Sequence, residues 1–280
     1  MRALKITGIV VGSLILLAGI GLIIGKVQLD SGFYEYYDPT LALDAELIEV
    51  NERESGAIVE KLYFQTTPGE RVPTWLTRPA DLEGRAPAVI FLHGIGQSGD
   101  FVQQISDPFN EAGFIMVSYD QYMRGERNPD EDGILDQVQQ FRRRASSTVV
   151  DTRRLIDYLQ TRTDVDDERI YLVGASYGAI TGSVAAAKDA RIRATVLVYG
   201  GGNLNELLSA PYVKEEMGAS LLLAKPLANY LLGVADPVRY VGGIAPRPVF
   251  FQNGEEDGLV APPAARALYE AARDPKQIKW

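Results

Sequence analysis

No cysteine occurs among the 280 residues, and histidine occurs once, at His93. The first absence excludes disulfides, thiolate zinc sites and a cysteine nucleophile. With the second, it leaves only carboxylates to ligate a metal, so neither metal nor other cofactor is expected. Positive charge is also short, 28 Lys and Arg against 37 Asp and Glu, for a net of −9. Such a chain repels nucleic acid and anionic lipid, so no nucleic-acid partner is expected. A phosphate-cradling glycine loop is missing too: Gly200-Gly201-Gly202 lacks the Lys-Ser/Thr pair that such a loop requires.

What is present begins with a charge-free run of 20 residues, Ile6 to Gly25. At about 1.5 Å per residue a helix of that length reaches roughly 30 Å, the thickness of a bilayer's hydrocarbon core. Arg2 and Lys5 precede the run and Lys26 follows it, which favours a cytoplasmic amino end and a main domain outside. Residues 1–26 therefore read as a membrane anchor, with a cleaved signal peptide as the rival; Gly19-Ile20-Gly21 is a weak cleavage pattern. Residues 27–56 read as a connector, and 57–280 as one domain around a single core.

The domain opens with two strand-like runs, Ile58–Thr66 and Arg71–Arg78, joined through Pro68-Gly69, a hairpin turn signal. Then short apolar runs alternate with longer helical stretches. The runs are Ala88–Leu92, Phe114–Tyr119, Ile170–Val173, Ala194–Tyr199, Pro248–Phe251 and Gln277–Trp280. Unbroken apolar runs of this length suit strands buried on both faces of a parallel sheet. Helices are expected over 98–112, 136–161, 177–188, parts of 203–238, and 261–273. That alternation predicts an α/β fold with helices on both faces and ligands at the carboxyl ends of the strands.

Three segments carry chemistry. In Gly174-Ala175-Ser176-Tyr177-Gly178 a buried strand runs straight into a small-residue helix. A serine on that sharp turn presents its hydroxyl above the sheet, and the flanking glycines relieve crowding. The helix N-terminus offers N–H groups to a developing oxyanion. Ser176 is thus the expected nucleophile and the Tyr177 N–H one oxyanion donor. In Phe91-Leu92-His93-Gly94-Ile95-Gly96 a strand ends in a loop whose N–H at Ile95, or alternatively Gly96, supplies the second donor. In Phe251-Gln252-Asn253-Gly254-Glu255-Glu256-Asp257 an acidic residue follows a strand; Asp257 is the expected acid that orients a histidine.

These segments in this order resemble the α/β-hydrolase fold over residues 55–280. Arg124-Gly125-Glu126-Arg127, Val165 to Arg169, Ala235-Asp236-Pro237 and Ala245-Pro246-Arg247-Pro248 resemble its dienelactone-hydrolase-like and acetyl-esterase-like branch. The resemblance implies an eight-stranded, mostly parallel sheet flanked by helices; the transmembrane helix expected before it is read from the apolar run alone. It also implies transfer of an acyl group from a small-molecule ester to water. Dienelactone hydrolases proper use cysteine; the serine here implies ester hydrolysis through an acyl-enzyme.

The pattern departs from the family at the base, a histidine in the loop after the last strand, because the sequence ends within that strand, at Trp280. His93 belongs to the oxyanion loop, where the resemblance implies a structural role. Truncation is the expected explanation, and the chain as written is expected to be nearly inactive. The rival is a catalytically inactive, membrane-tethered binding domain. Arg142-Arg143-Arg144 reads as a solvated helix face. Asp120, Arg124, Glu126 and Arg127 read as a structural ion-pair cluster, with pocket lining as the alternative, and 203–235 reads either as cap helices that shape an apolar acyl pocket or as ordinary packing.

Overall fold

A computed structural model describes residues 19–129 and 134–280. The chain forms two compact units, Met1–Glu35 and Tyr36–Trp280. In the first, residues 19–30 are helical. The expected membrane-spanning run, 6–25, lies mostly outside the described residues.

The second unit is built on one nine-stranded sheet in the order β1-β2-β3-β5-β4-β6-β7-β8-β9. β1 (Glu46–Glu52), β2 (Ala57–Thr67) and β3 (Glu70–Pro79) form an antiparallel meander. Gly69 turns between β2 and β3 with φ 79, a conformation only glycine adopts without strain. β3 pairs antiparallel with β5 (Ile115–Tyr119). From there on every pairing is parallel: β4 (Ala86–Leu92), β6 (Val165–Ala175), β7 (Ile192–Val198), β8 (Val249–Gln252) and β9 (Lys276–Lys279). β5 is buried along its whole length, as its unbroken Ile-Met-Val-Ser-Tyr run anticipates for a strand covered on both faces.

The expected eight strands are nine, and the extra one, β1, lies in the segment read as a connector. Every residue of β1 is exposed. It is held by its ladder to β2 rather than by burying an apolar face, so it leaves no alternation to read. The helix expected over 98–112 is broken into a 3₁₀ turn, Gly99–Phe101, and two short helices, Val102–Ile105 and Asp107–Glu111. Pro108 sits in the first turn of the last piece, where its missing N–H costs nothing, and it cannot continue the helix before it.

Two helices position the site. α1 (Ile134–Thr161) lays Thr148, Thr152, Leu155 and Leu159, all fully buried, against the sheet. α2 (Tyr177–Lys188) leaves the carboxyl end of β6 and packs on β4 and β6. A side chain at Gly182 would meet Leu172 at 2.8 Å and Leu92 at 3.2 Å, so the close approach of α2 to the sheet depends on glycine there. Between β7 and β8 the chain forms further helices, including α3 (Leu221–Leu232). Among the described residues, Pro211–Ala235 alone is long and apolar enough to cross a membrane by length and composition. It turns at Gly218 (φ 51), and Leu222 and Leu223 are 80% and 82% exposed, so they do not wall an acyl pocket. α4 (Pro262–Ala271) returns the chain to β9.

Candidate active site

The parallel register aligns Ala175, Val198, Gln252 and Lys279 in one row at the carboxyl edge of β6, β7, β8 and β9. The next residues of β6, β7 and β8 emerge at that edge. Ser176 follows β6 directly, with φ 53 and ψ −117, while its N–H donates to the Val198 carbonyl at 2.8 Å. A non-glycine residue held at positive φ costs about 1–3 kcal/mol and persists only where its surroundings over-determine it. Here they do. A Cβ at Gly178 would stand 1.9 Å from the Leu92 carbonyl oxygen, and one at Gly174 would stand 2.4 Å from that of Gly178. Both glycines of the motif are therefore forced by backbone passing backbone. Ser176 is partly exposed at the head of α2, and the carbonyl of Ser176 accepts the N–H groups of Ala179 and Ile180.

The β4 loop lies alongside. Leu92 is in register with Gly174, and an added Cβ at Gly94 would sit 3.7 Å from the Ser176 Cβ. The Gly94 N–H donates to the Gln97 Oε1 at 3.0 Å, and the Gln97 N–H donates back to the Gly94 carbonyl at 3.3 Å. This closed turn leaves Ile95 47% exposed. Neither the Ile95 N–H nor the Tyr177 N–H has an acceptor among the described residues. Both N–H groups expected to act as donors are thus without an acceptor among the described residues, one in the β4 loop and one at the head of α2.

His93 does not face it as a base. The ring is fully buried; Nδ1 donates to the Gly94 carbonyl at 2.8 Å, and Gln121 Nε2 donates to the His93 carbonyl at 2.9 Å. Burial pulls the imidazole down to about 4, with the Arg144 and Arg124 guanidinia adding to the shift. It is a neutral brace for the loop.

Asp257 follows β8 by five residues. β8 stands two strand spacings from β6, about 9–10 Å. Asp257 Oδ1 accepts the N–H groups of Leu259 (2.8 Å) and Val260 (2.9 Å), which fixes the carboxylate and leaves Oδ2 for another donor. With Tyr199, Gly254, Glu255, Glu256 and Trp280 it lines an open depression at the carboxyl edge. Tyr199 was not singled out in the sequence; its φ of 54 directly after β7 marks a second strained residue at this edge.

The four residues expected to form an ion-pair cluster do not pair with one another: Arg127 and Glu126 pair with charges elsewhere, and Asp120 and Arg124 join no ion pair among the described residues. Arg127 reaches Asp151 (2.7 Å), Glu70 (2.9 Å) and the Asp120 carbonyl (3.0 Å). Asp120 accepts the N–H groups of Gly99 and Glu126, each at 2.8 Å, and Glu126 pairs with Lys61 at 2.6 Å. The guanidinium of Arg124 joins none of them. The solvated face expected of Arg142-Arg143-Arg144 is also corrected: Arg143 is exposed and pairs with Glu70, but Arg142 and Arg144 are buried. Counting back from Leu155 through Thr148, the core-facing stripe of α1 lands on Arg144.

Sheet order, the strand–serine–helix junction and the parallel crossovers define an α/β hydrolase. The chain belongs to the dienelactone hydrolase family, whose family model matches residues 72–223. It is similar to the α/β-hydrolase domain-containing protein WAV2 of Arabidopsis thaliana, 24% identical over 91% of this chain and 82% of that one. It is also similar to the putative hydrolase YtaP of Bacillus subtilis, 26% identical over 55% of this chain and 56% of that one. Among solved structures it shares its fold with the acetyl xylan esterase of Paenibacillus sp. R4 (TM-score 0.72, 18% identity, 90% of this chain and 91% of that one). Acetyl xylan esterase 1 of Thermoanaerobacterium sp. JW/SL YS485 gives a TM-score of 0.70 at 21% identity, covering 91% and 86%. The protein is a hydrolase of this fold.

Proposed function

We propose that the protein is a serine esterase that hydrolyses a small-molecule ester through an acyl-enzyme on Ser176. The observation that carries this reading is the strained serine at the β6–α2 junction, backed by two unspent N–H donors. Ser176 Oγ attacks the ester carbonyl, and the N–H groups of Ile95 and Tyr177 stabilise the oxyanion. The alcohol leaves with a proton from the base; water then attacks the acyl-serine, giving the acid and the free serine. Asp257 orients the base and stabilises its cation.

Residues 1–280 do not supply that base, because His93 is committed to the β4 loop. Residues 6–25 are assigned to a membrane anchor that holds the hydrolase domain outside the cytoplasm, on the length and flanking charges of the run.

The test is hydrolysis of p-nitrophenyl acetate by the full natural protein. Ser176→Ala is expected to lose about 10⁶-fold in kcat, and Asp257→Asn about 10⁴-fold. Undiminished turnover in Ser176→Ala overturns the assignment.

A further inference from the structure

α3 carries its apolar residues outward. Leu222 and Leu223 are 80% and 82% exposed, Leu227 is 58% exposed, and Pro226 is exposed as well. Residues four apart share a helix face, so 222 with 226 and 223 with 227 form one stripe. Leu221 alone in the helix is fully buried. Single exposed leucines are ordinary, but an adjoining set on one face marks a surface that something apolar covers. The stripe is also uncharged. Residues 217–235 contain no Asp or Glu in a chain of net −9, and their one charge, Lys225, is drawn aside to the Ser209 Oγ at 2.5 Å.

The segment around the stripe points to its cover. Pro211–Ala235 has the length and apolar content of a membrane span, and little of it is buried. As folded it does not span. The chain turns at Gly218 (φ 51), and the 12 residues of α3 reach only about 18 Å, short of a hydrocarbon core of about 30 Å. A helix with one apolar face that is too short to cross lies in the plane of a bilayer, that face sunk about 5–10 Å at the headgroup boundary. The net negative charge of the chain disfavours anionic lipid, and an uncharged stripe needs no counter-charge, which leaves zwitterionic lipid. Under the anchor reading of residues 6–25 the domain is tethered to a bilayer. Lipid then meets the stripe at a far higher effective concentration than a second copy of the chain does.

We infer that the face of α3 formed by Leu222, Leu223, Pro226 and Leu227 docks on the surface of a zwitterionic lipid bilayer. The docked segment is joined to the candidate site: the Tyr212 N–H, near its start, donates to the Gly258 carbonyl at 3.2 Å, next to Asp257. The choice of lipid over a second copy rests on the anchor reading. Docking itself needs no turnover and stands apart from the role of Ser176.

The lack of cysteine makes the test direct, since one introduced cysteine takes one polarity-sensitive fluorophore. Leu222→Cys and Leu223→Cys report on the stripe, Leu47→Cys on the exposed strand β1, and Ser13→Cys on the run 6–25. Each is labelled in the full chain and mixed with phosphatidylcholine vesicles carrying a nitroxide either near the headgroup or near the chain ends. At 222 and 223 the emission is expected to shift to the blue and to lose most of its intensity to the shallow nitroxide, less to the deep one. At 47 neither change is expected. Emission at 222 and 223 that stays as in water, or quenching no greater than at 47, overturns the proposal. A blue shift without vesicles that grows with protein concentration also overturns it, in favour of a second copy. Ser13→Cys keeps the two membrane readings apart. Quenching at 13 with none at 222 and 223 sinks the docking and leaves the anchor; quenching at 222 and 223 with none at 13 sinks the anchor and upholds the docking.

Discussion

At the scale of single residues, the site is shaped by close approach of backbone to backbone. The Gly178 position admits no side chain, because a Cβ there would collide with the Leu92 carbonyl at 1.9 Å. Gly178→Ala must push α2 off β4, and overpacking of this kind costs about 1–3 kcal/mol or more. Chemical denaturation should show that loss, while alanine at Gly96, which meets nothing within 4 Å, should change stability far less. His93 offers a second measurement, since it is the only histidine and gives the only imidazole resonance. Its titration midpoint in the folded protein is expected at about 4. The imidazole is neutral in both states above the unfolded value of about 6.5, so its contribution to folding is complete there. Between 6.5 and 4 only the unfolded chain takes the proton, and stability falls by on the order of 1.4 kcal/mol per pH unit. His93→Gln should remove that slope from the wild-type profile. A midpoint near 6.5 would show that the ring is not buried as described.

At the scale of elements, eight of the nine strands and the helices 134–161, 177–188 and 262–271 were legible from apolar runs and their spacing. They were legible because each buries a face: β5 is enclosed throughout, and α1 carries a regular inward stripe. β1 buries nothing and so left no pattern. Arg144 misled for a related reason. Three consecutive arginines look solvated as a charge run, but helical period, not charge, decides which of them turns inward. The proposed serine, the proposed donor Tyr177 and the proposed acid Asp257 were singled out from strand-to-loop grammar. Tyr199 was not, because a tyrosine after a strand carries no chemical signature until its backbone is known. The Arg127–Asp151 pair tests the element scale. Both side chains are buried, at 6% and 2% exposure, and the pair ties the β5 loop to α1. Asp151→Asn leaves the arginine short of its counter-charge and should cost about 3 kcal/mol by urea unfolding. Glu126→Gln breaks a far more exposed pair with Lys61 and should cost no more than about 1 kcal/mol.

At the scale of the whole molecule, one sheet edge collects from separate loops the groups proposed for the hydrolase chemistry. The β4 loop and the head of α2 bring donors, the β6 end brings the strained serine, and the β8 loop brings a carboxylate fixed by two amides. Register, rather than any single motif, sets their spacing, since Ala175, Val198 and Gln252 stand in one row. A fluorophosphonate requires an activated serine and reports nothing else about the substrate. Mass spectrometry of the labelled natural protein, mapped to the peptide containing residues 174–178, is therefore the most direct measurement. The account predicts a single phosphonate adduct on Ser176, absent in Ser176→Ala and slowed in Asp257→Asn. An adduct on another residue, or labelling that persists in Ser176→Ala, contradicts it.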